Sequence, residues 1–283
     1  MTKIFDLFEM GPGRYQPDPK FTYSDDHPGY RLDQRRLAFF VGLVALGLPI
    51  VMLIGWINGT CLYDSISHFY YAQFLGGVFI AGLVFIGTFL LAYRGESARE
   101  NRLATIAGIG ALFIALFPTS GRGCEKANFS GRALADFTLK KGDSFVEVIP
   151  AVEGNTFFEL FNGSAILHGL GATLLFAFLA WYSFFVFTRV IDNVHGPEGS
   201  LTPQKRYRNK IYKASGILIV VSMLSILIGI ALDKFFKLNL WDFYNLTFWF
   251  ESLALWAFGV SWMLKGRFLD KLLLDARETQ NKT

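Results

Sequence analysis

Five side chains that can carry a proton or bind a ligand occur at or near the ends of long apolar stretches of this sequence. They are Asp64, Ser67, His68, His168 and Glu251. Carboxylate, hydroxyl and imidazole groups are the ones that proteins use for general acid–base and nucleophilic chemistry. An ionisable group inside an apolar stretch is expensive to maintain, so these positions are the first place to look for function.

Each of these side chains also has a plain structural interpretation. Asp64 and Ser67, together with Ser65, can cap the second helix, and His68 can be an interfacial residue beside aromatic side chains. His168 can hydrogen-bond a neighbouring helix. Glu251 is harder to explain in this way, because a lone buried carboxylate must be protonated or paired.

We therefore expect Glu251 and His168 to line one outward-open polar pocket, with His68 and Asp64 at its rim. A His–Glu pair would stabilise both charges and would hold or relay a proton. In the competing interpretation, Glu251 lies on an oligomer interface and is hydrogen-bonded across subunits of a homo-oligomer.

Familiar catalytic motifs do not occur in the sequence. It contains no GxSxG, HExxH, P-loop or CxxC pattern. The two histidines His68 and His168, with Asp64 or Glu251, could hold a zinc ion, and the two histidines alone could bind a haem. The spacing of these residues in the sequence is not typical of a zinc site or of a haem site, so the sequence does not decide whether a cofactor is bound.

The elements that must position these side chains follow from the composition. Of 283 residues, 52% are hydrophobic and only 18% are charged, and 30 are Phe. Such a composition excludes disorder and an ordinary soluble enzyme, and it indicates lipid as the solvent. The net charge of +4 is too small to indicate nucleic acid binding. Six apolar runs are long enough for membrane helices, at 37–58, 70–93, 103–118, 164–187, 214–232 and 243–264. The predicted fold is an all-α integral membrane bundle of six transmembrane helices.

The distribution of Lys and Arg predicts the orientation. Basic residues are concentrated in the tail 1–36, in the second and fourth connections and in the tail 265–283, and the first connection has none. Both tails are therefore predicted to be cytoplasmic, and the loop 119–163 is predicted to be extracytoplasmic. The protein is predicted to reside in the cell membrane, without a cleavable signal peptide.

Two features are predicted on the outward side. Cys61 and Cys124 both fall in outward connections, where an oxidising environment favours a disulfide between them, although two unpaired thiols remain an alternative. Apolar and polar residues alternate on both sides of Gly142 and Asp143, which predicts a small β-hairpin in the loop 119–163.

Several motifs carry a resemblance to known sequences. They are Asn58-Gly59-Thr60-Cys61, Ser65-Ile66-Ser67-His68-Phe69-Tyr70-Tyr71, Phe117-Pro118-Thr119, Tyr207-Arg208-Asn209-Lys210-Ile211-Tyr212 and Trp249-Phe250-Glu251-Ser252 with Phe258-Gly259-Val260-Ser261-Trp262. With them, residues 35–266 resemble uncharacterised bacterial multi-span membrane proteins classed under domains of unknown function, which are distantly similar to the DRAM/Sfk group. The resemblance implies a six-helix membrane protein and no established activity. The chain is also similar, in its types of candidate residue and not in its motifs, to membrane hydrolases that use Ser, Asp and three His. The third His does not occur here.

Three classes of function follow from these observations. The first is a membrane protein that binds a lipid, a small ligand or a membrane partner in an outward-facing polar pocket. The second is a lipid-modifying hydrolase with Asp64, Ser67, His68, His168 and Glu251 in the outer leaflet. The third is a transporter or channel, which is less favoured because the polar residues do not continue into the inner half of the runs.

Overall fold

The structure is a computed structural model that describes residues 34–59, 62–95, 97–119, 137–141, 144–148, 161, 163–189, 203–236 and 244–266. Each of the six predicted apolar runs contains a helix. The helices are α1 Gln34–Ile57, α2 Gln73–Ala92, α3 Ala98–Leu116, α4 Ser164–Trp181, α5 Pro203–Phe236 and α6 Leu246–Lys265. A π-helical turn, Tyr182–Val186, continues α4.

Four helical stretches in the described part of the chain are long and apolar enough to cross a membrane. They are Arg36–Ile57, Phe74–Ala92, Ser164–Val186 and Pro203–Asp233. The other two helices are less apolar, because α3 begins with Arg99, Glu100 and Arg102 and α6 contains Glu251.

The helices pack in sequence order. Each helix packs against the next one along the chain, and α6 packs against α1, which closes the ring. Hydrogen bonds at the helix ends show which ends meet. Phe248 N donates to Asp64 O at 2.7 Å, which brings the start of α6 to the segment between α1 and α2, and Lys205 Nζ donates to Phe187 O at 3.2 Å, which brings the start of α5 to the end of α4.

The second helix begins later than the sequence predicts. A 3-10 helix, Ile66–Tyr71, precedes it, and Ala72 then has an extended ψ of 136°, so that α2 starts at Gln73 rather than at residue 70. The 3-10 helix lies directly on the first turn of α2. A Cβ atom at Gly76 would be 2.8 Å from the carbonyl oxygen of Phe69, so only glycine permits this contact.

A second close approach joins α3 to α4. A Cβ atom at Gly110 would be 2.8 Å from the carbonyl oxygen of Gly171, and Gly171 meets the Gly110 carbonyl in the same way. Small residues at such crossings let two helix backbones approach closely. The crossing brings the end of α3 close to the start of α4, where His168 lies.

Two helices extend beyond their apolar runs. α3 begins at Ala98 instead of 103, because Ser97 caps its first turn and accepts a hydrogen bond from Glu100 N at 3.3 Å. α5 begins at Pro203 instead of 214, with proline at the first helical position, where its missing N–H costs nothing. Both extensions are polar, which is why a prediction from hydropathy did not include them.

The loop 119–163 is described only in part. Strand β1, Phe137–Lys141, pairs antiparallel with β2, Ser144–Val148, and the register places Lys141 opposite Ser144. The predicted cysteine pair, Cys61 and Cys124, lies outside the described residues, so the disulfide stays a prediction.

Candidate functional site

Four segments meet at one end of the bundle. They are the 3-10 helix with the two residues before it, the residue that follows α3, the first turns of α4 and the first turns of α6. We call this group the Ser67 cluster; it comprises Asp64, Ser65, Ser67, His68, His168 and Glu251 with the backbone N–H of Ile66 and the backbone carbonyl of Phe117. All five side chains singled out in the sequence belong to it.

Glu251 accepts its hydrogen bonds from the segment before α2. Ser65 Oγ donates to its two carboxyl oxygens at 3.0 and 2.8 Å, and Ile66 N donates to Oε2 at 2.6 Å. Ser65 Oγ also accepts from Ser67 N at 3.1 Å and so caps the 3-10 helix. The carboxyl group of Glu251, which belongs to α6, therefore holds the first turn of the 3-10 helix in place.

His168 is held at both ring nitrogens. Its Nδ1 is 2.8 Å from the carbonyl oxygen of Phe117, and its Nε2 is 3.0 Å from Ser67 Oγ. Both His168 and Ser67 are buried. Since a carbonyl can only accept, Nδ1 carries a proton, and in the neutral ring Nε2 is then an acceptor for the Ser67 hydroxyl.

Asp64 and His68 form a pair within the same segment. The Asp64 carboxylate contacts His68 Nδ1 across one turn of chain. A carboxylate on one imidazole nitrogen fixes the tautomer and the orientation of the ring. His68 also lies close enough to interact electrostatically with Glu251 and with His168.

Glu251 and His168 were expected to pair directly, but each is hydrogen-bonded to other groups. In the described part of the chain, the carboxyl group of Glu251 takes its hydrogen bonds from Ser65 and Ile66, and His168 bonds to Ser67 and Phe117. The 3-10 helix stands between the two groups and contacts both. Of the three residues expected to cap the second helix, Asp64, Ser65 and Ser67, Ser65 is a cap, and it caps the 3-10 helix rather than α2.

Aromatic side chains lie against the cluster. Phe69 is fully buried, with its ring centroid 4.8 Å from that of Tyr63 and 6.0 Å from that of Phe248. Tyr63 lies between α1 and the 3-10 helix, and burial raises the pKa of its hydroxyl. On the far side, Tyr71 Oη donates to the Thr119 carbonyl at 2.8 Å, which ties the 3-10 helix to the segment after α3.

A metal centre finds no support in the part of the chain that the structure describes. No group of three or more His, Cys, Asp and Glu side chains there has the arrangement of a metal site. The polar atoms of His168 and Glu251 are instead engaged with hydroxyl, amide and carbonyl groups.

A second polar group, at the opposite end of α4, was not recognised in the sequence. We call it the Glu100 cluster; it comprises Ser97, Glu100, Arg189, Lys205 and Asn209 with the backbone carbonyls of Phe187 and Thr188. Glu100 is only 1% exposed, and its Oε1 is 2.6 Å from Arg189 Nη1 and 2.9 Å from Ser97 Oγ. The Ser-x-x-Glu spacing of a capping box was the signal that could have identified it.

The chain matches no protein-family model, and comparisons with curated proteins and with solved structures yield no match. The family suggested by the sequence motifs therefore stays an expectation.

Proposed function

We propose that the protein is a six-span membrane protein that binds the polar part of a lipid or of a small ligand at the Ser67 cluster. Four spans are evident from length and composition. Of the further two, α6 supports the proposal by its length of about 30 Å, which matches the hydrocarbon thickness of a bilayer, and α3 continues for about 21 Å beyond its charged first turn. Each of them also packs between two neighbours that can cross the membrane.

In the proposed orientation the Ser67 cluster faces the extracytoplasmic side. The helix ends opposite to it carry Arg94, Arg99, Arg102, Arg189 and Lys265, and basic residues favour the cytoplasm. The loop 119–163, with the hairpin, would then face outward. A tag inserted near residue 143 should react with an impermeant reagent from outside intact cells, and labelling from the cytoplasm alone would reverse the orientation.

The position of Glu251 is the observation that carries the binding proposal. This partly buried carboxyl lies in the second turn of an apolar helix, and the hydrogen bonds it accepts come from neutral donors. Removing such a group from water costs several kcal/mol unless charge compensates it. An aliphatic residue here would leave the Ser65 hydroxyl and the Ile66 amide without this acceptor. The carboxyl therefore supports the 3-10 helix, and we infer that it also contacts the polar part of the ligand that the cluster binds.

Native mass spectrometry with elemental analysis of the purified protein tests this proposal, because it detects bound lipid, zinc and haem together. We expect a lipid or small ligand to remain bound to the wild type and to be lost at least tenfold more readily from Glu251→Gln. The matched control is Glu100→Gln, which makes the same change at the other end of the bundle and should retain the ligand. Equal retention by wild type, Glu251→Gln and His168→Ala would reduce the cluster to a packing feature.

A specific observation favours the hydrolase as the second candidate function. Ser67 Oγ and His168 Nε2 are 3.0 Å apart in a buried contact. This is the distance between a nucleophile and its general base, and it leads to the inference below.

A further inference from the structure

We propose that Ser67 and His168 act as nucleophile and general base in cleaving the acyl ester of a membrane lipid bound at the Ser67 cluster. This inference rests on the proposed function, since it names the substrate class and the reaction of the same site. Three groups carry it: a hydroxyl 3.0 Å from an imidazole nitrogen, and a backbone carbonyl 2.8 Å from the other nitrogen of the same ring.

The carbonyl of Phe117 takes the part that a carboxylate takes in many hydrolases. By accepting from Nδ1–H it fixes the tautomer in which Nε2 carries the lone pair. That lone pair is directed at Ser67 Oγ, so the ring is ready to receive the hydroxyl proton. The requirement for a catalytic pair is this geometry, a base within hydrogen-bond reach and a third group that orients the base.

The elements that carry the three groups are fixed relative to one another. Ser67 lies in a 3-10 helix whose first turn is capped by Ser65 and bonded to Glu251 of α6. Phe117 follows α3 directly, and the Gly110–Gly171 crossing brings α3 to α4. Reactive groups held in position on rigid elements gain most of the benefit of proximity before the substrate arrives.

The depth of the pair indicates an ester of a membrane lipid. His168 is the fifth residue of α4, about 6 Å below the helix start, and Ser67 lies in the connection just before α2. In the proposed six-span arrangement this level corresponds to the boundary between the hydrocarbon core and the headgroup region, where the acyl esters of glycerolipids lie. Exposed apolar side chains of neighbouring helix ends, Phe74 and Trp249, are suited to contact with acyl chains at that level.

The proposed reaction consumes one water molecule for each ester. Ser67 Oγ gives its proton to His168 Nε2 and bonds to the ester carbonyl carbon, and the bond to the alcohol oxygen breaks as that oxygen takes the proton from His168. Water then gives a proton to His168 and attacks the acyl carbon, and Ser67 Oγ leaves and regains its proton. The products are one fatty acid and one lipid alcohol.

A fluorophosphonate probe, which reacts with activated serines, tests the nucleophile in the full-length protein in lipid nanodiscs. We expect an adduct on Ser67 in the wild type, located by peptide mass spectrometry, and none there in Ser67→Ala. Labelling should be at least 100-fold slower in His168→Gln, because a general base contributes about 10²–10⁴ in rate. Ser183→Ala is the matched control: its buried hydroxyl lies near the other end of α4, 3.4 Å from Ser261 Oγ, and labelling should be unchanged.

Ser67→Cys keeps the test valid if Ser67→Ala does not fold. Its thiol should react with iodoacetamide at least tenfold faster in the presence of His168 than in the double variant with His168→Gln. Equal rates in the two backgrounds would overturn the role of His168 as base.

Vesicles of phosphatidylglycerol and the soluble ester p-nitrophenyl butyrate distinguish a lipid substrate from any accessible ester. Release of fatty acid from the vesicles, lost in Ser67→Ala, supports the inference, and hydrolysis of the soluble ester alone overturns its lipid specificity.

Failure of this inference differs from failure of the proposed function. Wild-type protein that retains lipid but gives neither an adduct on Ser67 nor hydrolysis overturns the inference alone, and protein that retains no ligand and gives neither an adduct nor hydrolysis overturns both.

Discussion

Glu251 and Glu100 are carboxyl groups near opposite ends of the same bundle, and they are held in different ways. Glu100 contacts the guanidinium of Arg189 and the hydroxyl of Ser97 at the start of α3. Glu251 accepts from the hydroxyl of Ser65 and the amide of Ile66. One carboxylate is compensated by a full positive charge, and the other has neutral donors and a histidine nearby.

The difference distinguishes the structural role of Glu100 from the ligand-binding role that we propose for Glu251. A buried carboxylate paired with Arg and used in a capping box is accounted for by the helix that it starts. The Ser67 cluster instead has two histidines, two serines and two carboxyl groups on segments that are remote in sequence. Such an arrangement can move protons, since each histidine has one nitrogen held by an acceptor.

The largest expected effect on stability is at the Glu100 cluster. Arg189→Met should lower the free energy of unfolding by about 3 kcal/mol, at the low end for a broken buried pair because Arg189 is 40% exposed. Thermal unfolding in detergent measures the change. Adding Glu100→Gln should restore more than half of the loss, and an unchanged melting temperature for Arg189→Met would show that the pair does not stabilise this end.

The next effect should fall on the Ser67 cluster. Gly76→Ala would force the 3-10 helix away from α2, because the new Cβ atom meets the carbonyl of Phe69 at 2.8 Å. We expect a cost of about 2 kcal/mol and a clear loss of ligand retention. Gly169→Ala is the control: apart from its chain neighbours and the nearby backbone of its own helix, no atom lies within 4 Å of its Cβ position, and stability should not fall. Normal retention in Gly76→Ala would show that the 3-10 helix does not position the site.

A smaller effect is expected from replacing either of the two serines that donate to the two carboxyl groups. Ser65→Ala and Ser97→Ala each remove a cap and should each cost about 1 kcal/mol. Only Ser65→Ala should also weaken ligand retention, as measured by native mass spectrometry. If both serines alter retention equally, the separation between a structural and a functional end is wrong.

The smallest effect on the bundle is expected from the predicted disulfide. Cys61 and Cys124 should resist alkylation in the denatured, non-reduced protein and react after reduction. Replacing both with Ser should speed proteolysis within 119–163 and change bundle stability by about 0.5 kcal/mol or less. Full alkylation before reduction would exclude the bond and remove one argument for an oxidising environment at this end.

The sequence by itself determined the positions of the helices and the end at which the reactive groups gather. Apolar runs of about 20 residues are a local property, so each could be recognised without its neighbours. The positions of His168 and Glu251 within their runs were local in the same sense. The polar start of α3 was missed, because hydropathy does not record a capping residue such as Ser97.

Only the tertiary structure decided which groups bond to one another. Ser67 and His168 are 101 positions apart, and their contact depends on how α4 is rotated and how closely α3 approaches it. Depth alone suggested a pair between Glu251 and a histidine, but the break at Ala72 places the 3-10 helix between them. A hydrogen bond requires its donor–acceptor distance to be correct within a fraction of an ångström and its donor to point at the acceptor. The helix positions that a sequence predicts specify neither the distance nor the angle.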